Sequence, residues 1–327
     1  MSAAAPLVRV LRSGLEESVH TGHVAVCDPE GRLLAAVGDP HHAVFARSSM
    51  KPLQAAVALR RIDVPLADDL VAIVCASHNA EPVHVRAVRR VLRAGGLTEA
   101  ALRCPLALPV RTEDARRVGR SRRVFHDCSG KHAGMILAAA SAGWVRERYL
   151  EPDHQLQREI LRAVRSATGV ERPAIGVDGC GVPVHGVPLS AMATLYARLA
   201  RPERLGVLGP TARRATLAMH SHPHLVAGTG RTDTLLMSAA PGIVSKGGAE
   251  ALHCAAILEA GVGVAVKVAD GGERASGPAL VHALALLGAV PPDRSEDLAR
   301  LVRRPVLGGG RPVGELVAGF RLRRPRA

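Results

Sequence analysis

The sequence predicts an α/β fold, and three observations carry that prediction. Two apolar runs flank Asp28-Pro29-Glu30-Gly31 and read as an opening β-hairpin. Further on, apolar residues recur at helical spacing, as where Leu156, Ile160, Leu161 and Val164 share one face. Between such segments lie short runs of small apolar residues, Ala174-Ile175-Gly176-Val177 and Gly261–Val268, that read as strands. At 327 residues and 47% hydrophobic, the chain can bury a substantial core. Aromatics are only 2%, so Ala, Val and Leu must fill it.

In chain order, His23–Cys27 and Leu33–Val37 form the hairpin. A helix is expected from about Ser48 to Arg61, with Pro52 in its first turn, where a missing N–H leaves no bond unmade. Leu70–Cys75 is apolar throughout and reads as either strand or helix, ending in Ala76-Ser77-His78-Asn79. Val83–Arg93 is an amphipathic helix closed by Gly95-Gly96, and Arg111–Arg123 reads as a charged connection. Cys128–Gly134 precedes an apolar helix, and its small residues are expected to expose backbone N–H groups to an anion. Asp153 is the expected cap of the next helix and Gly169 its end. The strand at 174–177 delivers Asp178-Gly179-Cys180-Gly181. Helices are expected at about Leu189–Leu199 and Thr211–His220, followed by a loop at Gly228–Asp233. Pro241–Gly248 reads as a strand turning into a helix at Ala249–Glu259, and Pro278–Leu287 as a final helix. The tail Arg321–Arg326 reads as a strand end or frayed terminus.

A net charge of +14 invites a nucleic-acid reading, but the arginines are scattered, no recognisable binding motif accompanies them, and stacking aromatics are scarce. The start has no signal-like apolar region, and no run reaches membrane-spanning length. Six dispersed cysteines without a Cys-x-x-Cys pair fit reduced thiols, so a cytoplasmic protein is expected.

Lysine usage singles out the chemistry. The chain has four lysines, Lys51, Lys131, Lys246 and Lys267, among 43 basic residues. Where a surface cation suffices, this chain uses arginine, but a base must be able to lose its proton and guanidinium cannot. Three of the lysines stand beside serines or glycines: Ser48-x-x-Lys51, Ser129-Gly-Lys131 and Ser245-Lys246-Gly247-Gly248. Residues three apart share a helix face, so Lys51 can reach Ser48, whereas Ser49 points elsewhere. Ser48 is therefore the better nucleophile candidate, at a helix start whose dipole favours a developing oxyanion. Ser48-x-x-Lys51, Ser77-His78-Asn79 and Lys246-Gly247-Gly248 also follow the order of the Ser-x-x-Lys, Ser-x-Asn and Lys-Thr-Gly elements of penicillin-recognising serine hydrolases.

Five motifs in register resemble the rhizobial-type (class 3) L-asparaginases of the asparaginase II family. They are Arg47–Gln54, Cys75–Asn79, Cys128–Gly134, Val177–Gly181 and Ser245–Glu250, and the likeness runs from the first hairpin to about Arg274. The resemblance implies a fold like serine β-lactamases and glutaminases, mainly an antiparallel sheet flanked by helices with a helical portion. One catalytic unit is expected, with an α/β part of about residues 1–50 and 170–327 and a helical part of about 51–169. The implied reaction is hydrolysis of the side-chain amide of L-asparagine by a homodimer, with no organic cofactor. Carried over residue by residue, Ser48 is the nucleophile with Lys51 as base, Ser77 and Lys246 form a second Ser/Lys pair, and Asp178 binds the substrate's α-amino group. Arg47, His78 and Asn79 fall among the substrate-binding residues. The family's metal site, zinc where occupied, falls on Cys128, Lys131 and Cys180, although so wide a separation of two cysteines is not a spacing from which zinc is read. His126 and His132 are the alternatives nearby. This sequence departs from the family pattern at Ala80, where glycine is expected, and at Gly181–His185. A β-lactamase-like or glutaminase-like hydrolase shares the machinery, and a basic non-catalytic binding protein is the reading without chemistry.

Overall fold

The computed structural model describes residues 3–290 and 296–325. Arg326, the end of the expected tail, lies outside them. The chain opens with β1 (Ala5–Arg12), β2 (Leu15–Cys27), β3 (Leu33–Val37) and β4 (Ala43–Phe45). A 3₁₀ turn at Arg47–Met50 leads into α1 (Lys51–Leu59), α2 (Asp68–Val74), α3 (Pro82–Ala94), α4 (Thr112–Val118), α5 (Ser129–Ser141) and α6 (Gln155–Thr168). Then come β5 (Ala174–Val177), β6 (Pro183–Pro188), α7 (Leu189–Ala200), α8 (Gly209–Ser221), α9 (Pro223–Val226) and α10 (Thr232–Ala239). The chain continues through β7 (Ile243–Gly248), β8 (Leu252–Ile257), β9 (Val262–Val268), α11 (Glu273–Leu286), α12 (Glu296–Val302), β10 (Arg303–Gly308) and β11 (Arg311–Ala318). Two compact units result, one of Met1–Ser49, Gly186–Arg204 and Leu235–Ala327, the other of Met50–His185 and Leu205–Thr234.

The first unit is built on an eight-stranded sheet in the order β10-β11-β1-β2-β9-β8-β7, with β3 also paired to β2. The pairings are antiparallel, and the hairpin of β2 and β3 aligns Val24 with Val37. Side chains alternate across a strand, so β9 serves two cores. Val264, Val266 and Val268 pack with Ala275, Ala279 and Leu280 of α11. On the opposite face, a Cβ at Gly263 would lie 1.9 Å from Ala193 O and 2.5 Å from Ala197 N, so α7 approaches the strand as closely as only glycine allows.

Ala249–Glu259, expected as helix, is instead a turn and the strand β8. Glu250 and Ala251 adopt positive φ (60° and 54°) to reverse the chain, and β8 pairs on both sides, with β7 and β9. Ala-Glu-Ala-Leu favours helix locally, but the ladder bonds outweigh a propensity difference of a few tenths of a kcal/mol per residue.

The second unit is mostly helical. Leu70–Cys75 resolves as α2, whose Ile73 and Val74 receive α5 at two glycines: a Cβ on Gly130 would lie 2.1 Å from Ile73 O, and one on Gly134 2.5 Å from Val74 Cγ1. α5 begins at Ser129, so most of the expected pre-helical nest is buried inside its first turns. The charged connection contains α4, which places Glu113 and Asp114 in its first turn and Arg116 and Arg117 in its last, as the helix dipole favours. His154 rather than Asp153 caps α6: His154 Nδ1 accepts from Leu156 N–H at 3.2 Å, while Asp153 pairs with Arg148 at 3.1 Å. Gly169 ends that helix at φ 72°. No helix among the described residues is long and apolar enough to cross a membrane.

Candidate active site

In the first unit, the 3₁₀ turn separates the two adjacent serines. Ser49 is fully buried, its Oγ donating to Lys246 O at 2.9 Å and its carbonyl accepting from Tyr196 Oη at 2.8 Å. Ser48 is half-buried, and its hydroxyl has no hydrogen-bond partner among the described residues. The Ser49 hydroxyl is thus held by structure and that of Ser48 is not, although Ser48 lies in the 3₁₀ turn before α1 rather than on that helix's face. Glycine at 248 makes the approach possible, since a Cβ there would fall 3.0 Å from Ser49 Oγ and 3.3 Å from Arg47 Cβ. Arg47 holds a left-handed φ of 44°. Lys246 is fully buried on β7, and its Nζ donates to Gly247 O at 2.7 Å.

In the second unit, Lys51 opens α1 and is fully buried. Its Nζ donates to Ala76 O at 2.5 Å and meets Ser77 Oγ at 2.8 Å. No carboxylate lies within ion-pair distance of it among the described residues. Lys51 and Ser77 therefore form a buried amine–hydroxyl pair, and the hydrogen bonds of Lys51 go to the Ser77 segment rather than to Ser48.

The Ser77-His78-Asn79 segment is fixed by its backbone. Ser77 N–H donates to Val226 O and Asn79 N–H to Ala227 O, each at 2.9 Å. His78 is fully buried, and its Nδ1 accepts from Ala80 N–H at 3.1 Å. Ser129 Oγ donates to Val124 O at 2.9 Å, so it accepts from His78 Nε2–H at 3.0 Å. That pattern requires a neutral Nε2–H imidazole, and burial, with His84 alongside, holds the His78 pKa well below its ordinary value. Ala80 has φ 58°, which explains why glycine is the expected residue there.

Asn79 Nδ2 donates to Thr229 O at 3.1 Å and to Glu81 Oε1 at 3.2 Å, while Asn79 Oδ1 is buried without a partner. Glu81 also accepts from Thr229 N–H at 2.8 Å and from His224 Nε2 at 2.9 Å. Burial alone would raise the Glu81 pKa, but the hydrogen bonds from Thr229 and Asn79 hold it below the ordinary carboxylate value. Glu81 so ties Asn79 to the Gly228–Gly230 loop, and sequence reasoning missed it. The only signal was its place before Pro82 at a helix start, where it caps α3 reciprocally with His84.

Cys128, Lys131 and Cys180, dispersed in sequence, converge. Lys131 Nζ lies 3.0 Å from Cys180 Sγ, and Cys180 Sγ lies 3.6 Å from Asp178 Oδ2. The neighbouring Cys180, with the positive charges of Lys51 and Lys131, pulls the Cys128 thiol well below its ordinary pKa. Burial disfavours charge on Lys131, but the two sulfurs raise its pKa overall. His126 and Asp127 stand beside Cys128, with one donor atom from each of the three within 4.8 Å of the others. His132 Nδ1 lies 2.5 Å from Tyr149 Oη, while its Nε2 is buried without a hydrogen-bond partner. Two sulfurs in one buried cluster, with the Lys131 nitrogen once it gives up its proton, fit a borderline-soft ion such as zinc.

The sequence model of the L-asparaginase II family matches residues 8–318. The chain belongs to that family. No curated protein matches the sequence. Among solved structures, the chain is similar to a β-lactamase from Mycobacterium bovis at 17% identity, over 82% of this chain and 95% of that one, with a TM-score of 0.45. It is similar to a Bacillus glutaminase at 13% identity, over 82% and 91%, with a TM-score of 0.46. It is also similar to a simvastatin synthase from Aspergillus terreus at 12% identity, over 76% and 86%, with a TM-score of 0.42. The span matched by the L-asparaginase II family runs from β1 to β11 and includes every candidate site residue.

Proposed function

We propose that this protein is an L-asparaginase that hydrolyses the side-chain amide of L-asparagine to L-aspartate and ammonia through a Ser48 acyl-enzyme. One observation carries the reading: the buried Lys51 amine bonded to Ser77 Oγ at 2.8 Å, at the start of the helix that follows Ser48. Ser48 Oγ attacks the amide carbonyl, Lys51 takes its proton, and that proton leaves with the amide nitrogen as ammonia. Water then attacks the ester and releases aspartate. Ser77 passes the proton, and Lys246 joins it as the second Ser/Lys pair that the family resemblance implies. Arg47, His78 and Asn79 hold substrate, Asn79 through its unpaired Oδ1, an acceptor suited to a substrate N–H. Asp178, half-buried in the turn after β5, takes the α-ammonium.

Cys128, Lys131 and Cys180 would hold zinc, which when bound fixes the turn that carries Asp178 against the start of α5. A homodimer is the proposed assembly, and β5 offers apolar surface for it, with Ile175 53% and Val177 79% exposed. All six cysteines are free and buried, which supports action in the reducing cytoplasm. The test is ammonia release from L-asparagine and L-glutamine beside nitrocefin turnover. Asparagine turnover well above the other two supports the reading; nitrocefin turnover without it points to a β-lactamase-like enzyme.

A further inference from the structure

A cavity of about 390 Å³ opens in the helical unit beside α3 and α4. That volume lies in the range of small-molecule sites, roughly 300–1,000 Å³. Five arginines line it: Arg86 and Arg89 on α3, Arg117 on α4, and Arg120 and Arg122 just beyond. Three of them have carboxylate partners. Glu99 lies 2.6 Å from both Arg89 and Arg122, and Asp114 lies 2.6 Å from Arg117. Arg86 and Arg120 have no hydrogen-bond or ion-pair partner among the described residues. Five guanidiniums against two carboxylates leave a positive excess, and the two unpartnered side chains keep all their donors available. The rest of the wall is apolar, with Val85, Pro109 and Phe125 in it and Arg122 Cζ 5.8 Å from the Phe125 ring centroid. None of these residues belongs to the Ser/Lys chemistry.

We propose that this cavity binds a phosphate monoester with a flat apolar body, the chemistry of a nucleoside monophosphate, with its phosphate on Arg86 and Arg120 and its ring against the apolar wall. A phosphate presents three oxygens to two forked guanidiniums and suits them as bidentate partners. A small dicarboxylate such as the reaction product would leave the apolar wall wet.

Titration calorimetry of the full-length protein with AMP, inorganic phosphate and L-aspartate tests this, on the wild type and on the Arg86→Gln/Arg120→Gln double variant. Saturable AMP binding with a Kd below about 1 mM is expected, weakened at least about tenfold in the double variant. Both side chains are exposed, so the thermal midpoint of that variant should stay within about 2 °C of wild type. No saturable AMP binding up to about 10 mM, or equal binding by the double variant, overturns the proposal. Inorganic phosphate binding as tightly as AMP overturns the role of the apolar wall, and aspartate binding more tightly than AMP overturns the ligand class.

Discussion

Lys51 Nζ lies 2.8 Å from Ser77 Oγ in a fully buried setting, so the rarest basic residue type of this chain is held against a hydroxyl rather than a carboxylate. Arginine in that position would keep the charge and lose the ability to accept a proton. Lys51→Arg should therefore abolish turnover, and Ser77→Ala should lower kcat by roughly 10²- to 10⁴-fold. Steady-state ammonia release, with circular dichroism to confirm folding, is the measurement; a folded Lys51→Arg enzyme with near-wild-type kcat would remove Lys51 as base.

Ala80 occupies a left-handed conformation that costs a non-glycine residue roughly 1–2 kcal/mol. Ala80→Gly should leave stability within about 1 kcal/mol of wild type, because relief of strain offsets the lost methyl and the freer unfolded chain. Ala80→Val adds a β-branch to the same φ and should cost about 2 kcal/mol or more. Urea unfolding of both variants reads the difference, and equal midpoints would contradict the backbone account.

How much of this was legible in the sequence depended on range. Ser48, Lys51 and Pro52 are close in sequence, so spacing and Pro52 put a helix near Ser48; α1 itself starts at Lys51, after the 3₁₀ turn that holds Ser48 and Ser49. The hairpin of β2 and β3 was legible from its turn residues. Cys180 is 49 residues from Lys131, and only tertiary folding brings them to 3.0 Å; the resemblance pointed to the pair, while spacing could not. Glu81 acts through a loop some 150 residues away, and β8 is a strand because its neighbours pair with it, against its own propensity.

Gly263 lets the backbone of α7 lie against β9. Gly263→Ala must push a Cβ into Ala193 O, and overpacking of this kind costs about 1–3 kcal/mol, more where backbone has to move. Chemical denaturation should show a loss at the upper end of that range. A change below about 0.5 kcal/mol would mean that helix and strand part easily.

His185, 2% exposed on β6, has its pKa pushed down to about 4 by burial, and its Nδ1 has no partner. Between pH 6.5 and about 4 the unfolded chain binds a proton here that the folded chain does not. Stability must therefore fall as pH falls through that window and level off below it, by roughly 3 kcal/mol for the full separation of the two pKa values. His185→Leu should remove this share of the acid sensitivity. Unfolding curves at several pH values check it, and parallel losses in wild type and variant would contradict it.

The sulfur cluster makes its own prediction. Protein dialysed against zinc should retain about one ion per chain, and Cys180→Ser should lose most of it, because one of two soft donors is gone. Metal analysis with thermal unfolding reads both quantities; zinc retention unchanged in Cys180→Ser would place the ion elsewhere.

The central claim is that Ser48, and not the buried Ser49, performs the attack. Ammonia release from L-asparagine by the wild type and by Ser48→Ala tests it most directly. Wild-type turnover that disappears in a folded Ser48→Ala variant is the predicted result, and near-normal turnover by that variant would contradict the account.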